Sequence, residues 1–243
     1  MKKRNKKHVM VLFSGGLDST YLIWKNLKKG NIVKPVYIEI KNNKNKSIVE
    51  IQQAKLLVEE FKKEFSDQIE EFKIVSEFRV NSFRSIVTFS QPLIWVLSVL
   101  FGIEKHYDEI NIGYVIGDCA ISFLREIRNL YKSTLPFTDE KKLPKLKFPI
   151  MKESKYSMLY ELPENYVKLI TSCEAPVLLK YGIKLNNNER YRFFEPCGMC
   201  EVCKKIKNNN YYNNDSIKLK YGININDSTF KWILNDNYKK DIK

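Results

Sequence analysis

Histidine is almost missing from this chain of 243 residues, with only His8 and His106 present. That scarcity argues against a histidine-based catalytic set or a His-rich metal site. No stretch approaches 18 consecutive apolar residues, so no membrane-spanning helix is expected. The basic start MKKRNKK leads into an apolar run of about five residues, too short for the core of a secretory signal. The expectation is a cytoplasmic protein with no membrane partner. Internal repeats are lacking, and the one low-complexity tract is KKIKNNNYYNND at 204–215. Two common phosphate-loop patterns, GxxxxGK[ST] and GxGxxG, do not occur near the glycine pair at 15–16.

What is present suffices for a packed core, since 44% of residues are hydrophobic and 13% aromatic. The 42 Lys and Arg against 28 Asp and Glu leave a formal charge of +14. Such a balance attracts nucleic acid or polyphosphate. Lysine and asparagine are enriched together along the whole chain, however, and no dense basic run stands out, so the charge alone does not favour a nucleic-acid partner.

Strand-like and helix-like segments alternate through the first 150 residues. Val9–Phe13 reads as a buried strand, and a helix follows from Ser19 to Lys29 with Gly30 as its stop. Strands are expected at Ile32–Ile40, Phe72–Phe78 and Glu109–Val115, with helices at Ser47–Phe65, Pro92–Ile103 and Ala120–Tyr131. A loop over Thr138–Lys147 then leads to a short strand at Phe148–Met151. This order predicts an α/β fold, a doubly wound parallel sheet with right-handed crossovers. The expected division is an α/β nucleotide-binding domain at 1–150 and a helical C-terminal region at 151–243.

In doubly wound sheets the first strand-to-helix turn is the preferred phosphate site. Here that turn is FSGGLDST, Phe13 to Thr20. Gly15 and Gly16 permit positive φ and let backbone N–H groups converge on one anion, while the following helix adds its positive dipole end. Ser14 and Ser19 can donate hydroxyl hydrogen bonds. Asp18 is a poor direct neighbour for phosphate, so its expected work is to hold the loop or to help place Mg²⁺.

Four of the five cysteines fall into a metal-like pattern: Cys197, Cys200 and Cys203 in CGMCEVC, and Cys173 upstream in TSCEAP. Four thiolates can close a tetrahedral Zn²⁺ shell, the form of a structural site. Disulfides and a redox CxxC are the alternative readings. Cys119, beside Asp118, is left over and reads as a small buried residue rather than a nucleophile.

The SGGxDS loop resembles that of the PP-loop ATP pyrophosphatase superfamily, and the addition of a C-terminal Cys followed by CGxCxxC resembles the 7-cyano-7-deazaguanine synthase family. The likeness runs through VLFSGGLDST, INIGYVIGD, FPIMKESK, TSCEAP and CGMCEVC. It implies an adenine nucleotide alpha hydrolase-like fold with a small C-terminal zinc-binding subdomain. It also implies ATP binding at Phe13, Ser14, Gly15, Gly16, Leu17, Asp18, Ser19 and Thr20, and zinc on Cys173, Cys197, Cys200 and Cys203. Gly113 and Asp118 fall at the family's glycine and aspartate after the substrate-side strand, and Asp18 and Asp118 are the expected catalytic pair.

The activity so implied belongs to queuosine biosynthesis: ATP and Mg²⁺ activate 7-carboxy-7-deazaguanine with release of AMP, and ammonia yields the amide and then the nitrile. The chain departs from the family after the second strand, where YIEIKNNK stands, before the apolar helix, where SQPLIW stands, and after Asp118, where CAISFLREIR follows. A relative that passes the activated acid to another amine, including one on a protein, is thus an alternative. So are a PP-loop tRNA-modifying enzyme and a non-catalytic nucleotide-binding module. A homodimer is compatible with all of these.

Overall fold

A computed structural model describes residues 6–39, 44–75, 91–102, 107–139, 142–171, 173–184, 189–195, 197–200, 203–204 and 221–224. The chain divides into two units, one of residues 1–41 and 54–170, the other of residues 42–53 and 171–243. Residues 151–170, expected with the C-terminal region, belong to the first.

The first unit is built on five parallel strands: β1 (His8–Leu12), β2 (Ile32–Ile38), β3 (Lys73–Val75), β4 (Glu109–Asn111) and β5 (Lys145–Lys147). Their order is β3-β2-β1-β4-β5, so β1 lies at the centre with Val9 opposite Val33 on one side and Glu109 on the other. All are parallel because helical crossovers separate them in sequence.

The residues of β1 alternate between two apolar layers, as the pleat of a strand requires. Val9, Val11 and Phe13 join one cluster with Leu17, Tyr21, Leu22 and Leu27 of α1 (Leu17–Lys28) and with Leu57, Val58 and Phe61 of α2 (Lys44–Phe65). Met158 and Leu162, at α5 (Lys155–Glu161), and Tyr166 of α6 (Glu164–Val167) complete that layer. The rings of Phe61 and Tyr166 stack at 4.4 Å. These contacts explain why 151–170 fold with the sheet.

Met10 and Leu12 face the other way, toward Ile94, Val96 and Val99 of α3 (Gln91–Gly102) and Leu124, Ile127 and Tyr131 of α4 (Leu124–Lys132). With both faces covered, β1 reads as a continuous apolar run. The α/β doubly wound architecture expected from sequence is the one found.

Two expectations require correction. The fifth strand is Lys145–Lys147, inside the segment read as a loop, and not Phe148–Met151. It is an edge strand, where lysines are tolerated because one side of the ladder faces solvent. Lys147 also reaches Glu109 at 2.8 Å on the neighbouring strand.

Of the region expected to be helical, 151–243, the first part does hold α5 and α6, but beyond them the described elements are mainly strands. Strands β6 (Val177–Lys184), β7 (Glu189–Glu195) and β8 (Tyr221–Asn224) form an antiparallel sheet in the order β6-β7-β8. VLLKYGIK and ERYRFFE are rich in β-branched and aromatic residues, which favour a pleated surface. Among the described residues, no helix is long and apolar enough to cross a membrane.

Candidate functional site

The strand order reverses direction between β1 and β4, and in an open parallel sheet the crevice outside the carboxyl ends at such a point receives ligands. The loop Phe13–Gly16 leaves β1 at that point, and the segment 112–118 leaves β4 beside it.

Gly15 stands at φ 73°, a left-handed conformation that a side chain would strain. Gly16 caps α1, and no side chain caps that helix end. The first-turn N–H groups therefore lack the internal acceptor that a Ser or Asp cap would offer, which favours an external anion. The serines brace the loop. The Ser14 N–H donates to Ser19 Oγ at 3.3 Å, and Ser19 Oγ donates to the Gly16 carbonyl at 3.2 Å.

Phe13, Leu17 and Thr20 are buried, so Phe13 and Leu17 can serve a nucleotide only through backbone atoms. The Phe13 N–H is held by the Val36 carbonyl at 2.8 Å, and its ring meets Phe72 edge-on at 6.0 Å. Thr20 Oγ1 is buried with no hydrogen-bond partner among the described residues.

Gly113 fits its position for a different reason. A Cβ there would lie 3.3 Å from Asp18 C and Ser19 N and 3.4 Å from Asp18 O. The β4 exit thus packs directly on the backbone of the first turn of α1, so close that a side chain would push those backbone atoms by a few tenths of an ångström. The resemblance marks this glycine, and the structure supplies its reason.

Asp18 is the electrostatic centre. Its Oδ2 accepts from Lys155 Nζ, carried in at the start of α5, while Oδ1 is buried without a partner among the described residues. Burial raises the Asp18 carboxyl above its ordinary range, Lys155 opposes that shift, and the negative charge of Asp118 adds to it. Asp118 is positioned by the Val115 N–H, which donates to its Oδ2 at 2.9 Å.

Beside Asp118, the rings of Trp95, Tyr114 and Phe148 stack in series at 5.4 Å and 5.8 Å. The Tyr114 hydroxyl is buried without a partner among the described residues, and burial together with Asp118 pushes its pKa up. The structure therefore brings Gly15, Gly16, Asp18, Ser19, Gly113 and Asp118 together and adds two residues the sequence reading missed, Lys155 and Tyr114. The one sequence signal for Lys155 was the KESK run before a helix.

Asp18 Oδ1 offers a hard carboxylate oxygen with no competing donor, which fits a Mg²⁺ ion carried by a polyphosphate. Lys155 limits the charge repulsion that such an anion meets at Asp18. Bare first-turn amides, the helix dipole and Lys155 together can hold a pyrophosphate group and stabilise it as it departs.

In the second unit, the sulfurs of Cys173, Cys197, Cys200 and Cys203 all lie within 4.8 Å of one another. Gly198, at φ 68°, turns the chain inside the first CxxC. The Cys200 N–H donates to Cys197 Sγ at 3.3 Å, the Cys197 N–H to Cys173 Sγ at 3.2 Å, and the Cys203 N–H to Cys200 Sγ at 3.4 Å. N–H groups aimed at sulfur favour thiolates. Burial raises Cys197, but N–H donors from Met199 and Cys200 outweigh it and bring the thiol down to about 7, whereas burial pushes Cys173 up to about 11. Lys46, paired with Glu50 and Glu174, contributes positive charge near Cys173.

A tetrahedron of thiolates with 2.3 Å metal bonds has an edge of about 3.8 Å, so the cradle suits one ion such as Zn²⁺ after a small contraction. A cubane iron–sulfur cluster inserts a shell of iron and sulfide between its thiolates and needs a wider one. The leftover cysteine, Cys119, is exposed, against the expectation of a buried residue.

No protein-family model and no curated protein matches the chain. Solved structures with a similar backbone include a predicted tRNA methyltransferase subunit from Methanocaldococcus jannaschii, at 14% identity and TM-score 0.41, covering 63% of this chain and 73% of that one. A 4-thiouridine synthetase in complex with RNA and ATP is 17% identical, with TM-score 0.43, over 64% of this chain and 39% of its own. The U34-tRNA thiolase NcsA from Methanococcus maripaludis, with its [4Fe-4S] cluster, is 20% identical, with TM-score 0.40, over 69% of this chain and 64% of its own. The chemistry of the present chain rests on its own residues.

Proposed function

We propose that the protein is an ATP-dependent adenylating enzyme that transfers AMP to a carboxylate, with release of pyrophosphate, and then passes the activated acid to an amine. The observation that carries this reading is the convergence at the β1/β4 switch point of a bare helix end, Gly15 at φ 73°, Asp18 held by Lys155, and Gly113 packed beneath.

A carboxylate is a poor electrophile until it carries a leaving group. The loop supplies that activation by holding the pyrophosphate end of ATP in place while the α-phosphate is attacked. Mg²⁺, when bound, neutralises phosphate charge. Lys155 offsets part of the upward shift that burial imposes on the Asp18 carboxyl, while Oδ1 stays free of a competing donor among the described residues. The acceptor side is formed by Asp118 and the buried Tyr114 hydroxyl, a polar end on an aromatic stack. That pairing of hydrogen-bonding groups with ring faces supports a heterocyclic acid, with 7-carboxy-7-deazaguanine as the acceptor and ammonia as the amine. Zn²⁺ on the four cysteines is assigned a structural role, because a closed thiolate shell leaves no open position.

The test combines pure protein, ATP, Mg²⁺, ammonia and 7-carboxy-7-deazaguanine, with AMP and new amide or nitrile read by mass spectrometry. AMP that depends on the acid supports the whole reading. ATP binding without acid-dependent AMP removes this acceptor, and failure to bind ATP removes the reading altogether. The formal charge of +14 is compatible with a second reading, in which the activated group resides on RNA. Replacing the acid by tRNA in the same assay separates the two.

A further inference from the structure

We propose that the outer face of α4 is a docking track for single-stranded RNA, separate from the nucleotide loop. The helix sequence LREIRNLYK turns Leu124, Ile127 and Tyr131 into the core. Arg125, Arg128 and Lys132 are left exposed at spacings of three and four, which places them along one side of the helix. Their α-carbons span about 10 Å of helix axis, the length of about three phosphate steps in a stacked strand.

Most charge elsewhere on this unit is compensated. Lys7 and Lys147 meet Glu109, Lys25 meets Glu153, Lys62 meets Glu59, Lys63 meets Glu60, and Lys168 meets Glu164. Among the described residues, Arg125, Arg128 and Lys132 have no carboxylate at ion-pair distance; Arg128 lies over the Phe148 ring, its guanidinium carbon 5.1 Å from the ring centroid. Glu126 is the one acid exposed on α4, on the flank away from the basic side.

Aromatic surface stands at both ends. Phe123 precedes the helix and is 48% exposed, and Phe137 follows it and is 88% exposed. Cations for phosphates with rings for bases is the combination that binds unpaired strands. Exposed Asn129, between Arg125 and Lys132, offers a donor and an acceptor for a ribose 2′-hydroxyl, which commits the proposal to RNA. A membrane would need a broad apolar face, and α4 presents charge over its exposed length.

The test is fluorescence anisotropy of a short labelled oligouridylate on the full chain, without ATP, across a salt series. Arg125→Gln/Arg128→Gln/Lys132→Gln is expected to weaken binding about thirtyfold and to flatten the log–log salt slope by about 2, at about 0.7 per phosphate contact. Phe137→Ala is expected to cost about tenfold on the single strand and nothing on duplex RNA. Arg125→Gln/Lys132→Gln keeps the Arg128–Phe148 packing and secures the test should the triple variant unfold. Lys62→Gln/Lys63→Gln, on α2, serves as the charge control and is expected to bind like the parent. The proposal is overturned by unchanged binding in the α4 variants, by equal loss in the α2 control, by oligothymidylate binding as tightly, or by a preference for phosphatidylserine vesicles. Because ATP is absent, the outcome is independent of the adenylation assay.

Discussion

Replacing Gly113 with Ala tests whether the β4 exit buttresses the nucleotide loop. Two effects oppose each other. Gly113 is not among the glycines at positive φ, so alanine adopts its backbone without strain and gains about 0.4–1 kcal/mol from a less disordered unfolded chain. The added methyl, however, meets three backbone atoms of Asp18 and Ser19 at 3.3–3.4 Å, and these must give by a few tenths of an ångström. They belong to the first turn of a helix whose Leu17, Tyr21 and Leu22 are buried, so the retreat disturbs packed side chains. Overpacking of this kind costs about 1–3 kcal/mol.

The net expectation is a loss of about 1 kcal/mol, read as a lower urea midpoint with an unchanged slope. Nucleotide affinity should suffer more, because the atoms displaced belong to the helix turn proposed to hold the phosphates. A tenfold rise in the ATP Kd, about 1.4 kcal/mol, is expected by calorimetry in magnesium buffer. A variant that is more stable than the parent and binds ATP as well would refute the reasoning, since the neighbours would then have moved at no cost and the buttress would not exist.

Asp18→Asn should abolish AMP formation yet raise the melting temperature near neutral pH. The folded pKa of Asp18 is raised, so its ionised form detracts from stability as pH climbs through that value, and asparagine removes the burden; a lower melting temperature would contradict this. Glu109 behaves oppositely. Burial raises its pKa, but hydrogen bonds from Lys147 and Lys7 outweigh that and leave it lowered, so its contribution is present above 4.5 and disappears as pH falls through the folded value. Glu109→Gln should therefore lower parental stability at pH 7 and flatten the acid limb of a stability–pH curve, with equal curves counting against the pair. Elemental analysis should find one zinc per chain, and thiol titration after strong chelation should release four cysteines. Sulfide and iron, with visible charge-transfer absorbance, would replace the single-ion reading by a cluster. Lys155→Met should reduce acid-dependent AMP formation by at least tenfold and lower the melting temperature near neutral pH, because it removes the cation that offsets the burial of Asp18. Unchanged turnover would remove it from the site.

The sheet was legible where periodicity and punctuation agreed. HVMVL ends at a glycine pair, and LDSTYLIWKNLK repeats its apolar residues at helical spacing, so β1 and α1 follow from local pattern. The fifth strand was not, because Lys145 and Lys147 look like loop residues until β5 is seen to be an edge with Glu109 alongside. The C-terminal strands were missed for a different reason. The cysteine spacing marked that region as a metal site, and the alternating VLLKYGIK and ERYRFFE beside it carried the fold signal. Cysteine spacing gives ligand identity and says little about the scaffold that holds the ligands.

The site separates local from non-local information in the same way. Gly15 and Gly113 are the same letter, yet one serves by conformation and the other by size. At Gly15 the positive φ would strain any side chain however much room surrounded it. At Gly113 the backbone angles are ordinary, and only the approach of a helix that lies about 95 positions earlier in the chain disfavours a methyl group. The first requirement can be read from a turn between strand and helix. The second exists only once β4 is laid beside β1, and the Asp18–Lys155 pair, 137 positions apart, depends on the same closure. The loop alone is therefore an anion cradle of ordinary kind. What sets it apart is the sheet order, which delivers a glycine and an aspartate from the β4 exit and a lysine from α5 to the end of one helix.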